Sequence, residues 1–173
     1  MVRTELREHI FKMLFQIEFN DSVDMPENLN YYFETLEDAK EKDKQYIQNK
    51  YEAILSHIEE IDGLLNENAT GWKTTRMNKV DLSILRLALY EIKWDEDVPA
   101  KVAINEAVEL AKRFGGDNKL VVCKMVCLLN LQNRSYKMNG IYTVKQVNSY
   151  MKKYVYTGFH AEPYLCKGRN FQL

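Results

Sequence analysis

The stretch that most constrains the fold is Val80 to Ile92, VDLSILRLALYEI. Leu82, Leu85, Leu89 and Ile92 repeat at helical spacing and form one stripe. Ile84, Leu87 and Ala88 widen it until most of the circumference is apolar. A helix of this kind needs neighbours on several faces, so the rest of the chain must wrap around it. Only Asp81, Ser83, Arg86, Tyr90 and Glu91 interrupt the apolar surface. Arg86 reads as an arginine whose stem packs while its head finds a carboxylate.

The flanking segments supply those neighbours. Thr4 to Phe19 is expected to be a first helix with Thr4 as its N-cap. Leu6, Ile10, Met13, Leu14 and Ile17 lie on one face, and Arg3, Arg7 and Lys12 point away from it. Asn20 to Asn30 contains Pro26 and reads as a loop, followed by a short helix over Leu29 to Leu36. Asp43 to Leu65 is expected to be one long amphipathic helix, its end loosened at Asp62-Gly63. Asn66 to Gly71 is a polar break, and Trp72 leads into the central helix. Asp97 is the expected cap of a last helix, with Pro99 in its first turn, over Ala100 to Phe114. Gly115-Gly116 stops it. No alternating strand pattern is convincing and no repeat is visible, so the expected class is an all-α bundle.

At 173 residues the chain is long enough for one well-filled domain. No apolar run approaches the ~18 residues of a membrane span. The charged N-terminal stretch MVRTELREHIFKMLF lacks the features of a secretory signal, so a cytoplasmic location is expected. The formal net charge of -1 hides a split. Residues 1–118 hold 15 Lys and Arg against 24 Asp and Glu, whereas residues 119–173 hold 9 against 1. All three cysteines, Cys123, Cys127 and Cys166, fall in the basic part. Such asymmetry indicates either a basic tail or segments of different origin.

Catalytic and metal-binding signatures are weak. Gly115-Gly116 has neither the Lys-Ser/Thr nor the preceding strand of a phosphate loop. Cys123 and Cys127 have no second ligand pair nearby, so free thiols are expected. His9, His57 and His160 are scattered, and Glu106 and Glu109 read as a solvated helix face. No cofactor, metal or enzymatic activity is expected. Arg3 and Arg7 lie four apart at the start of a helix. Lys12, with Lys101 or Lys112, extends that surface if the first and last helices pack together. A patch of this kind neutralises phosphates, although Glu5 and Glu8 sit among the cations.

One block is far more specific. Trp72-x3-Arg76-x4-Asp81-x2-Ile84-Leu85-Arg86-x-Ala88-x-Tyr90-Glu91 is followed by Val98-Pro99 and by the run from Val102 to Gly115, VAINEAVELAKRFG. With Arg7-Glu8, Leu14-Phe15, Glu18 and Ile61-Asp62-Gly63-Leu64, these residues resemble the NusB family of bacterial transcription antitermination factors over about residues 3–117. The resemblance implies a helical bundle of two small subdomains without enzymatic activity. It implies binding to the boxA element of ribosomal RNA leader transcripts, together with the ribosomal protein NusE, in an RNA polymerase antitermination complex. It assigns RNA contact to Arg3 and Arg7 and sets Asp117 beside the RNA site, while Lys12, Lys101 and Lys112 come from the charge pattern above. The acidic bulk suits a basic ribosomal protein.

Soon after Asn118 the resemblance stops. The family continues with a Phe-Val-Asn-Gly-Val-Leu helix that closes the bundle. Here the codons of Lys124 to Asn130, read two bases later, can spell Asn/Asp-Gly-Val-Leu-Ala-Lys, which points to a frameshift between Asn118 and Lys124. Met138 to Lys153, MNGIYTVKQVNSYMKK, resembles the start of the exonuclease VII large subunit. The piece is short and holds no catalytic region. The expected organisation is therefore a NusB-like domain over residues 1–131 and an atypical basic tail over 132–173. Leu120 to Leu131 is expected to be an apolar helix that substitutes for the closing one. Two other readings fit a bundle of this type. One is the N-terminal module of a ribosomal RNA methyltransferase, which needs an α/β domain that 55 further residues cannot hold. The other is a protein-binding helical module, such as a homodimer, without RNA affinity.

Overall fold

The computed structural model describes residues 1–20, 25–37, 39–68 and 73–115. They form α1 (Arg3–Gln16), α2 (Met25–Glu34), α3 (Glu41–Ser56), α4 (Ile58–Asn68), a 3-10 turn (Thr74–Arg76), α5 (Lys79–Lys93) and α6 (Ala100–Phe114). None of the described residues is in a strand, and the expected all-α class holds. Trp72, Asp117 and the expected elements beyond residue 115 lie outside the described residues.

α5 is the central element. Leu82, Ile84, Leu85, Leu87, Ala88 and Leu89 are each no more than 3 % exposed. The Asn78 side chain caps its start by accepting the Val80 N–H at 2.9 Å. Ser83 is fully buried, and its hydroxyl is satisfied within the helix by donating to the Lys79 carbonyl at 2.8 Å. α6 and α4 pack against α5, and α1 packs against both α3 and α5. The α1–α3 and α5–α6 pairs thus join through α1 and α5. Ile10, Met13 and Leu14 of α1, Ile47 and Ile54 of α3, and Ile61 and Leu65 of α4 complete one continuous core.

Several local features differ from the sequence expectation. The long helix expected over Asp43 to Leu65 breaks at His57, where φ is -109° and ψ is 5°. The Ser56 hydroxyl donates to the Ala53 carbonyl at 2.7 Å, and His57 Nδ1 lies 2.9 Å from the same oxygen. Two polar side chains thus compete with the backbone ladder where the axis turns. Gly63 instead sits inside α4, and a Cβ on it would meet no atom within 4 Å. Pro26 opens α2 rather than lying in a loop, because proline fits a first helical turn. α1 is capped at Val2, not Thr4: Glu5 is the third helical residue and accepts the Val2 N–H at 2.9 Å. At α6 the cap position is Pro99, while the Asp97 N–H is taken by Asp95 Oδ1 at 3.0 Å.

α6 ends at Gly115, where the backbone turns extended with φ -89° and ψ 151°. A Cβ there would lie 2.9 Å from the Ala111 carbonyl oxygen of the same helix and 3.3 Å from Asp81 Oδ1, so any side chain would force the end of α6 to shift. Val102, an apolar residue in the first turn of α6, is 38 % exposed and lies off the buried face. Ala103, Ala107, Leu110 and Ala111 make that face instead.

These packing differences set expected stabilities. Leu85→Ala is expected to lose about 2–5 kcal/mol, whereas Val102→Ala should stay within about 0.5 kcal/mol of the parent. Urea unfolding followed by circular dichroism measures both.

Candidate nucleic-acid interface

The polar residues of α5 define the frame on which the surface is mounted. Glu91 is 1 % exposed. Arg7 Nε of α1 donates to its two carboxylate oxygens at 2.9 and 3.1 Å. Lys50 Nζ of α3 donates to Glu91 Oε1 at 2.8 Å and to Asp95 Oδ2 at 2.6 Å. Burial works against the Lys50 charge, but Glu91 and Asp95 outweigh it and hold its pKa above the ordinary lysine value. A second node lies nearly one and a half turns earlier. Arg86 makes a two-pronged pair with Asp62 of α4, at 2.8 and 2.7 Å, and reaches Glu18 beyond α1 at 2.5 Å. Lys79 also donates to Glu18. The expectation that the Arg86 head finds a carboxylate is met twice over.

This frame corrects the placement of Arg7. The sequence pattern put Arg7 on the outer face of α1 with Arg3. The structure buries it to 6 % exposure, because the carboxylate of Glu91 requires counter-charge in the core. Glu106 of α6 approaches its guanidinium at 3.9 Å. Arg3 is exposed at the first position of α1.

The first and last helices do meet. Arg7 faces Glu106, and further along both helices Phe11 and Phe114 bring their rings to 5.1 Å. The two helices therefore run in the same sense where they touch. Arg3 lies at the start of α1, and Lys101 and Lys112 lie near opposite ends of α6. Lys101 and Lys112 are eleven residues apart, roughly 16 Å along the axis. Lys112 pairs with Glu109 at 2.6 Å.

Around Lys12 the structure adds residues that the sequence pattern did not single out. Lys12 Nζ is 5.9 Å from the centre of the Phe114 ring, and the Arg113 guanidinium is 5.3 Å from it. Glu8 joins the two cations, with Lys12 at 2.7 Å and Arg113 at 2.6 Å. Burial raises the Glu8 pKa, but the two cations outweigh it and leave it below the ordinary value. Phe114 is 36 % exposed. Phe11 and Phe15 of α1 and Phe19 just beyond it continue the aromatic line, with ring centres 6.3 and 4.9 Å apart and Phe19 65 % exposed. The sequence signal was Lys112-Arg113-Phe114 at the end of α6, which reads on its own only as a helix terminus. Among the described residues, no group of three or more His, Cys, Asp or Glu is arranged to hold a metal. No helix among them is long and apolar enough to cross a membrane.

A charge-locked helical bundle with cations and aromatic rings on one face is a macromolecule-binding architecture rather than a small-molecule pocket. The sequence profile described as the NusB family matches residues 4–121, and the chain belongs to that family. It is 50 % identical over 117 residues to a transcription antitermination protein NusB of Agathobacter rectalis, covering 68 % of this chain and 89 % of that protein. It is 47 % identical over 118 residues to the protein of the same name from Lachnoclostridium phytofermentans, with the same coverages. A solved structure of T. maritima NusB superposes with a TM-score of 0.63 and 31 % identity, covering 77 % of this chain and 92 % of that one. The family match ends at residue 121, so residues 122–173 lie beyond it.

The frame has measurable consequences. Glu91→Ala would leave Arg7 and Lys50 buried without their shared counter-charge, and an expected loss of about 3–5 kcal/mol should appear in denaturant unfolding. Glu18 gives the pH dependence its sign. Burial raises its pKa, but bonds from Lys79 and Arg86 outweigh this and lower it below 4.5. Its contribution is therefore complete above the unfolded value and is lost as pH falls through the lowered folded one. Melting temperatures followed below pH 5 should fall less steeply in Glu18→Gln than in the parent.

Proposed function

We propose that this chain is a transcription antitermination factor that binds boxA-type RNA of ribosomal RNA leader transcripts with NusE, in an RNA polymerase antitermination complex. Support comes from the curated relatives, which carry the antitermination name and are covered to 89 % of their length. They hold little beyond the bundle, which favours a free-standing factor over the leading module of a methyltransferase. The observation that carries RNA binding is the α1–α6 face, where Lys12, Arg113 and Phe114 converge. Cations that meet phosphates and rings that stack on unpaired bases are the usual means of holding single-stranded RNA. Arg3, Lys101 and Lys112 are further candidate phosphate contacts in this reading, and Asp117, which the family resemblance names, lies outside the described residues. Arg7 serves the surface by fixing α1 to α5.

In this reading the chain acts by binding, in the cytoplasm, and needs no cofactor. Residues 1–118 carry 24 acidic against 15 basic side chains, a balance that suits a basic ribosomal partner.

Fluorescence anisotropy of a labelled boxA RNA, titrated with and without NusE at two salt concentrations, tests the reading. Binding is expected to exceed that of a scrambled RNA, to weaken with salt and to strengthen with NusE. Lys12→Gln should lower the salt slope by roughly 0.7–1. Equal, weak binding to both RNAs would overturn the boxA assignment and favour a protein-binding module, with a homodimer checked by sedimentation.

A further inference from the structure

The place of Glu8 on the cationic face is the unexpected feature. A carboxylate beside Lys12 and Arg113 weakens a phosphate-binding surface, yet its position is well defined. Its side chain is 15 % exposed and bridges the two cations at 2.7 and 2.6 Å. The cations themselves face solvent, with side chains 40 and 54 % exposed. Both lie within 6 Å of the Phe114 ring centre. Phe11 backs that ring, and part of it stays accessible.

We propose that Glu8 is a specificity-determining residue, an internal anion that occupies the place of an RNA phosphate between Lys12 and Arg113 until a nucleotide engages Phe114. The inference rests on the RNA-binding reading above and deepens it at one point of contact. The carboxylate keeps a lysine and an arginine on different helices converged beside one ring. A phosphate oxygen offers the guanidinium the same charge-assisted geometry as a carboxylate. The exchange is open to a phosphate because both cations keep much of their side chain in solvent. The displaced carboxylate then lies close to the phosphate and repels it. An RNA held by its backbone alone depends on this phosphate seat and bears the full repulsion, whereas one whose base stacks on Phe114 is anchored by the ring and seats its phosphate farther from the carboxylate. Glu8 therefore weakens binding overall and weakens it most for RNA held by its backbone alone, which is how a repulsive group raises selectivity.

Phe114 and Arg113 have separable parts in this arrangement. Arg113 neutralises charge, so its removal changes the salt dependence. Phe114 stacks, so its removal changes affinity at every salt concentration. Phe114→Leu retains an apolar contact for Phe11 while removing the aromatic face.

The test uses the full chain, a boxA RNA and a scrambled RNA of equal length, with melting curves to confirm that each variant is folded. Glu8→Gln is expected to tighten the scrambled RNA roughly fivefold, the effect of removing one like charge about 4 Å from a phosphate in water. It should tighten boxA RNA less, so the ratio of the two affinities falls. Arg113→Gln should lower the salt slope by roughly 0.7–1, and Phe114→Leu should weaken boxA binding by roughly 5- to 150-fold with the slope unchanged. Unchanged or weaker scrambled-RNA binding in Glu8→Gln, or an unchanged affinity ratio, overturns the proposal. A parent protein that does not prefer boxA defeats the boxA reading alone, because the Glu8 effect is still read on the scrambled RNA. A parent that binds neither RNA defeats both.

Discussion

Everything in this bundle depends on the buried carboxylate of Glu91 and the arginine five residues before it. A helix as apolar as α5 packs against almost anything, so hydrophobic burial alone does not set the rotation or register of its neighbours. Glu91 accepts only a partner that brings positive charge into the core, and α1 and α3 each supply one, Arg7 and Lys50. Arg86 makes the reciprocal demand and draws Asp62 of α4 and Glu18 beyond α1. These pairs add little net stability compared with apolar residues of the same shape, because desolvation offsets most of their attraction. Misplacing one partner leaves an unpaired charge inside, however, and that penalty is large. The ion pairs therefore select the arrangement, and the apolar core stabilises it.

That arrangement produces the surface. With Arg7 held by Glu91, α1 lies along α6 with Phe11 against Phe114. Lys12, one position after Phe11, and Arg113, one before Phe114, are then carried to the same ring. The buried network does not touch RNA in this reading, but it determines where the exposed cations stand. Glu8 completes the group by linking cations from two helices.

Much of the fold was legible beforehand because it follows from periodicity. The apolar circumference of α5 implied its central position, and the stripes of α1 and α6 implied helices within a few residues of their observed bounds. Less legible were features decided by local competition. Ser56 and His57 end α3 through side-chain bonds to the Ala53 carbonyl, in the middle of an unbroken amphipathic pattern. Arg7 is a sharper case. On α1 alone it belongs with the polar face, and the reason for its burial lies 84 residues away in Glu91.

By itself the sequence determined the all-helical class, the central helix and, through the long block from Val102 to Gly115, the family. Those properties reside in short-range spacing and residue identity, which a linear chain displays in full. The tertiary structure alone decided which charges face inward and which remain on the surface. It buried Arg7, exposed Val102, and brought Glu8, Lys12, Arg113 and Phe114 together across more than 100 residues of chain. Such choices depend on whether a charge finds its counter-charge once the helices have packed, and that is a property of distances in space rather than of positions along the chain.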